Sequence, residues 1–195
     1  LIENMENVND HSSDALKEQV ASYMERINST NKFVKSYPHK FTKSIEVEEY
    51  IQKYYHLESG DKMDNTEDNS ESIMGRVTSK RASGKKLFFY TIFSNGYTIQ
   101  IMSSMNSYHN SEEFKEINLS IRRGDIIGIK GSMFKTKVGE VTVLVKDFTL
   151  LNKSLRPLPL PRVDSDGNEY DSFTDLEQRY RQRYVDLIVN SHVKD

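Results

Sequence analysis

At Ile73 the hydrophobic period of this chain changes from that of a helix to that of a strand. It keeps the strand period, with one interruption, as far as Leu151. Apolar residues alternate or run together over Ile73–Ser79, Lys86–Phe93 and Tyr97–Met102, and Ser94-Asn95-Gly96 supplies residues suited to positive φ at a hairpin turn. These are expected to be three consecutive antiparallel strands. A short helix from about Ser111 to Leu119 follows, and Ile126–Met133 and Val141–Leu151 give two more strands on either side of Phe134–Glu140. Five strands interrupted once by a helix require a sheet as the core of the fold. Periodicity by itself fixes their number and approximate ends, and leaves open how the sheet is closed.

The remainder of the chain frames this block. Residues 1–13 are polar and acidic and read as a flexible tail, without the order of a secretory or transit leader. Ser13 or Asp14 is placed to cap a helix whose Leu16, Val20, Tyr23, Met24 and Ile27 recur at helical period. Pro38 demands extended chain at Tyr37, and a second helix after Ser44 carries the stripe Val47, Tyr50, Ile51, Tyr54, so that helices occupy 14–57. Residues 58–72 are acidic and apolar-poor and read as a solvated loop. The sheet block is 73–152. Pro157, Pro159 and Pro161 make 153–173 a stiff connector, with a turn at Asp164-Ser165-Asp166-Gly167. Thr174-Asp175-Leu176-Glu177 is a capping-box pattern for a helix over 174–195, with Leu176, Tyr180, Tyr184, Leu187 and Ile188 on one face and Glu177 paired to Arg181.

With 195 residues there is room for one ordinary domain and its accessory segments, which excludes a large two-domain enzyme. The five histidines are scattered without ligand spacing and there is no cysteine, so a metal site is not expected; the lack of cysteine fits a reducing compartment. No stretch approaches the roughly 20 apolar residues of a membrane span, so no membrane partner is expected. A net charge of −2 means that any nucleic acid must be met by a local basic surface.

Arg156-Pro157-Leu158-Pro159 and, later, the run RYRQRYVDLI from Arg179 to Ile188 closely resemble the junction between the anticodon-binding and catalytic domains of class II lysyl-tRNA synthetases. Lys80-Arg81-Ala82-Ser83-Gly84, Arg122 to Gly128 (RRGDIIG) and Lys135 to Glu140 (KTKVGE) resemble that family in its order and at about its spacing, and the likeness runs from about Tyr37 to Asn190. The resemblance implies an α+β chain. A five-stranded OB-fold barrel would close on itself, with helices before it and a proline-rich connector and helix after it. It implies recognition of the anticodon loop of tRNA(Lys). The parent enzyme would ligate lysine to that tRNA with ATP and magnesium, in a catalytic domain expected beyond Asp195 and through which it would form a homodimer. This chain alone would hold no cofactor and no catalytic residue, and its location would be cytoplasmic or that of an organellar form. The alternative is a free-standing OB module for single strands or protein partners, disfavoured by the connector motifs. The segment 160–172 is longer than the family's usual connector, and Thr91 stands where an acidic residue is common.

An OB barrel binds single strands across its middle strands, with aromatic platforms for stacking and polar side chains for base edges. Alternation on the second strand separates Phe88, Tyr90 and Ile92 from Leu87, Phe89, Thr91 and Phe93, and does not say which set fills the barrel. The resemblance assigns Phe89 to stacking on an anticodon base, Gln100 to the middle uracil and Glu140 to another base. A Gln amide complements uracil with both an acceptor and donors. Lys135 and Lys137 are expected to offset Glu140 against phosphate, with Arg81 and Arg76 completing the cationic side. The bland alternatives are core packing for Phe89, an idle surface amide for Gln100 and a solvated charge for Glu140. Arg179, Arg181 and Arg183 point in different directions on a helix and form no basic stripe. Their helix is expected to dock the barrel on the catalytic domain.

Overall fold

The computed structural model describes residues 3–30, 37–63, 68–163, 169–170, 173–190 and 193, with the backbone alone for 3–16, 162–163 and 169–170. The strand-period block forms β1 (Glu71–Ala82), β2 (Leu87–Ser94), β3 (Tyr97–Ser104), β4 (Ile126–Lys135) and β5 (Val141–Asn152), with helix Ser111–Ser120 between β3 and β4. The strands close into a barrel in the order β1-β2-β3-β5-β4. All pairs are antiparallel except β3 with β5, where Gln100, Ile101 and Met102 lie beside Thr142, Val143 and Leu144. The β2–β3 hairpin turns at Asn95 (φ 49°) and Gly96 (φ 90°), as the Asn-Gly pair demands.

Alternation fills the interior. Phe88, Tyr90 and Ile92 of β2 meet Ile99 and Ile101 of β3, Ile127 and Ile129 of β4, and Val143 and Val145 of β5, all buried. The helix of residues 111–120 closes one end of the barrel with Phe114 and Ile117, and Asn118 accepts from the Tyr90 hydroxyl at 2.8 Å. Such a buried phenol needs a partner, since an unpaired hydroxyl in the core costs about 1–3 kcal/mol. Gly131 sits where β4 shifts register, and a Cβ there would lie 2.2 Å from the Leu144 carbonyl oxygen, so β4 and β5 meet this closely only because the residue is glycine.

The turn into β4 is held by a buried ion pair. Asp125 is wholly buried, and its carboxylate accepts from the Arg122 backbone N–H at 2.8 Å, the Ser154 N–H at 3.0 Å and Lys153 Nζ at 2.8 Å. Lys153 also donates to the Ser120 carbonyl at 2.5 Å. Burial pushes the Lys153 ammonium below its ordinary pKa, while Asp125 pulls it back up. One carboxylate thereby joins the 111–120 helix, the turn and the end of β5.

Outside the barrel several expectations change. Helix α1 runs over Glu3–Thr30, ten residues before the cap expected at Ser13 or Asp14, because no proline or glycine interrupts residues 1–37. Its stripe is not buried: Val20, Tyr23 and Met24 are exposed. Tyr37 adopts a left-handed φ of 48° in place of extended chain, and its N–H donates to the Leu150 carbonyl. Helix α2 (Val47–Tyr54) buries Val47, Tyr50 and Tyr54 as the stripe predicts. The acidic 58–72 segment is not wholly a solvated loop. Met63 N–H donates to the Met133 carbonyl and Lys135 N–H to the Asp61 carbonyl, covering the end of β4 that β1 leaves unpaired.

The connector holds a small hairpin, β6 (Arg162–Val163) with β7 (Glu169–Tyr170), and the turn expected at 164–167 lies outside the described residues. The single C-terminal helix breaks at Gln182 into Leu176–Arg181 and Arg183–Val189, with Asp175 and not Thr174 as the side-chain cap. Leu176, Tyr180 and Tyr184 are exposed, whereas Asp186 is buried. The Asn190 amide and the guanidinium groups of Arg179 and Arg183 hold the Asp186 carboxyl below its ordinary range. Two of the three arginines are thus committed within the helix pair. Arg181 pairs with Glu177, as the spacing predicts.

Candidate nucleic-acid interface

The face left outside the barrel collects most of the residues singled out by the sequence. On β2 the buried set is Phe88, Tyr90 and Ile92, so Phe89 and Thr91 point outward. Phe89 lies opposite Arg81 on β1 and Met102 on β3, and the next outward row is Ser79, Thr91, Gln100 and Thr142. The Arg81 guanidinium carbon is 5.2 Å from the centre of the Phe89 ring. A cation over one edge of a half-exposed ring makes a flat platform of mixed aromatic and cationic character, which suits a stacked base with a phosphate beside it.

Gln100 is brought to Glu140 by the parallel β3–β5 pairing, although the two are 40 residues apart in sequence. Gln100 Nε2 donates to Glu140 Oε2 at 2.8 Å, and Gln100 Oε1 accepts from the Thr142 hydroxyl at 3.3 Å. Both contacts orient the amide the same way. One N–H and one lone pair remain to face outward. Flipping it would turn the amide oxygen toward a carboxylate, which can only accept. Glu140 is itself anchored where its N–H donates to Thr136 Oγ1 at 2.9 Å, in the turn that carries the exposed Lys137.

Two expected cations stand elsewhere. Lys135 is buried, and its ammonium donates to the carbonyl oxygens of Tyr55 at 2.6 Å and Leu57 at 2.7 Å, beyond the end of α2. It ties α2 to the barrel and does not face the platform as the KTKVGE motif led us to expect. The reason is that β4 extends to Lys135, so the first lysine of the motif ends a strand and only the second reaches the turn. Arg76 is half-buried and donates to the Gly124 carbonyl at 2.9 Å, and burial lowers its guanidinium pKa. It lies five positions from Arg81 along β1, about 16 Å at strand rise, and is not part of the platform.

Thr142 is the residue that sequence reasoning did not single out. It is fully buried beneath the Gln100 amide. A threonine in the apolar run of β5 carries no signal by itself, and only the pairing with β3 reveals its role. Among the described residues no group of three or more His, Cys, Asp or Glu is placed to hold a metal ion. Among those same residues no helix is long and apolar enough to cross a membrane.

The barrel and its flanks are similar to known proteins. A protein-family model described as an OB-fold nucleic acid binding domain matches residues 71–151. The lysine–tRNA ligase of Christiangramia forsetii is 46% identical over 144 residues, covering 72% of this chain and 25% of that protein. The chloroplastic/mitochondrial lysine–tRNA ligase of Arabidopsis thaliana is 39% identical over 159 residues, covering 82% of this chain and 25% of that protein. The Porphyromonas gingivalis lysine–tRNA ligase is 45% identical over 128 residues. The chain spans about a quarter of the length of these relatives. A closed five-stranded barrel that matches the family model across all its strands, with this likeness on either side of it, makes the chain an anticodon-binding OB-fold domain homologous to the N-terminal region of the lysyl-tRNA synthetases.

Proposed function

We propose that the outer face of the barrel reads the anticodon loop of tRNA(Lys) for a ligase that joins lysine to that tRNA. The observation that carries this is the fixed amide of Gln100, held by Glu140 and Thr142 two strand positions from the Phe89–Arg81 platform. Uracil presents a carbonyl acceptor beside an N–H donor, which meets the amide as it is set. Cytosine presents the reverse order and meets it only if the amide flips. Lys137 and Arg81 supply the phosphate contacts, and Glu140 both locks the amide and accepts from a base. Catalysis, with ATP and magnesium, belongs to the remainder of a full-length ligase, which forms a homodimer through that part. The setting is cytoplasmic or organellar.

Replacing Gln100 tests the reading. Gln100→Ala is expected to reduce discrimination between stem-loops with UUU and UCU anticodons by roughly 1–3 kcal/mol, the scale of a lost bidentate base contact. Titrating wild type and variant with both RNAs measures it. Equal wild-type affinity for the two RNAs would leave a sequence-indifferent OB module in its place.

Phe89→Ala is expected to weaken both stem-loops by roughly 1–3 kcal/mol. Because the ring faces outward, the unliganded domain should keep its melting temperature. A large drop in melting temperature would return Phe89 to the core.

A further inference from the structure

Beside Thr78, Ser79 and Lys80 of β1 lies a cavity of about 540 Å³ that the anticodon reading does not use. Four cations line it: Arg26 of α1, Lys80 of β1, and Arg122 and Arg123 of the turn into β4, with Thr78 and Ser79 on its wall. Among the described residues the carboxylates placed beside them are Asp125 and Glu25. Asp125 is committed to Lys153 and to two backbone donors, and Glu25, on the exposed side, pairs with Arg122. Arg123 is spent on the Thr78 and Leu160 carbonyls at 2.8 Å each, and shapes the cavity more than it fills it. Arg26 uses Nη1 on the Ser154 carbonyl, and Lys80 uses its ammonium on the carbonyls of Asn118 and Ile121.

The clustering of like charges is costly as it stands. Burial, then Arg122 and Lys153, push the Lys80 ammonium down to about 8, against a smaller upward pull from Asp125. Arg26 is lowered by burial and by Arg122 despite Asp125. A bound anion removes that cost. Its position is informative, because Ser79 belongs both to the cavity wall and to the outward row that includes Thr91 and Gln100. Two strand spacings, roughly 10 Å, separate Ser79 from Gln100. That is a span of one to two nucleotides of extended single strand.

We propose that this cavity holds a backbone phosphate of the same RNA whose bases reach Phe89 and Gln100, with Arg122 and Arg26 as its principal donors. The inference rests on the anticodon reading for the identity of the RNA. It adds a second anchor that positions the strand without reading sequence. Glu25 competes with the phosphate for Arg122, so removing its charge strengthens binding while removing the Arg122 charge weakens it. A purely structural role for the Glu25–Arg122 pair moves both variants the same way.

The test uses the full chain, with Arg122→Gln and Glu25→Gln titrated against UUU and UCU stem-loops over a salt series. Arg122→Gln is expected to weaken both RNAs by the same factor, roughly three- to tenfold, and to lower the salt slope by about 1. Glu25→Gln is expected to tighten both, and the ratio between UUU and UCU stays at the wild-type value in each variant. An unchanged slope in Arg122→Gln, or equal weakening by both substitutions, overturns the proposal. If Arg122→Gln is unfolded at the assay temperature, Arg26→Gln decides by the same criteria. A wild-type preference for UUU that persists while the slope is unmoved removes the cavity and keeps the base reading. A lowered slope with no wild-type preference does the reverse.

Discussion

Asp125→Ala is expected to cost the fold about 3–5 kcal/mol, because it leaves the Lys153 charge buried without its partner. It also strands the N–H groups of Arg122 and Ser154, both of which end on this carboxylate. At the size of this chain that is a fall of roughly 10 °C in melting temperature, read by urea unfolding or a thermal scan. The deficit should narrow with pH. Lys153 already has a folded pKa below its unfolded value, so the unfolded chain binds the extra proton and stability rises with pH between the two values. Losing Asp125 removes the upward pull and widens that window from below. A loss under about 1 kcal/mol would mean that water enters and solvates the lysine.

Lys135→Ala is expected to destabilise the domain by about 2–4 kcal/mol, since two charge-assisted hydrogen bonds from a buried ammonium to main-chain carbonyls disappear together. It should leave the salt dependence of RNA binding unchanged. Lys137→Ala, two residues on, is expected to do the opposite: stability within about 0.5 kcal/mol of wild type and a salt slope lower by up to about 1. Urea unfolding and a salt series on the two variants make the comparison. A reduced salt slope for Lys135→Ala would place its ammonium on the RNA in spite of its bonds to Tyr55 and Leu57.

The two lysines illustrate what the sequence discloses and what it withholds. Strand number, the Asn95-Gly96 turn and the 111–120 helix follow from local periodicity and turn chemistry, and all are present. Which face of β2 fills the barrel does not, because Phe88 and Phe89 are chemically alike and only closure decides between them. Closure also decides that Gln100 meets Glu140 and that Thr142 lies beneath both. Lys135 reads as a turn residue when the motif is one unit, whereas β4 ends inside it. The early start of α1 rests on the absence of a breaker, and the break at Gln182 falls inside a continuous helical stripe, so neither carries a local signal of its own.

The parallel pairing of β3 with β5 has a kinetic consequence. Hairpins such as β2–β3 join neighbours and can form early, but β3 and β5 meet only after the intervening helix and β4 have been accommodated, a long loop to close for three paired positions. Gln100, Glu140 and Thr142 straddle that seam. On the proposed anticodon reading, a chain paired only at β1–β2 and β2–β3 would carry Phe89 and Arg81 side by side without the clamped amide. Such an intermediate would hold RNA by stacking and charge alone, and selectivity for a base would require the β3–β5 seam that completes the barrel.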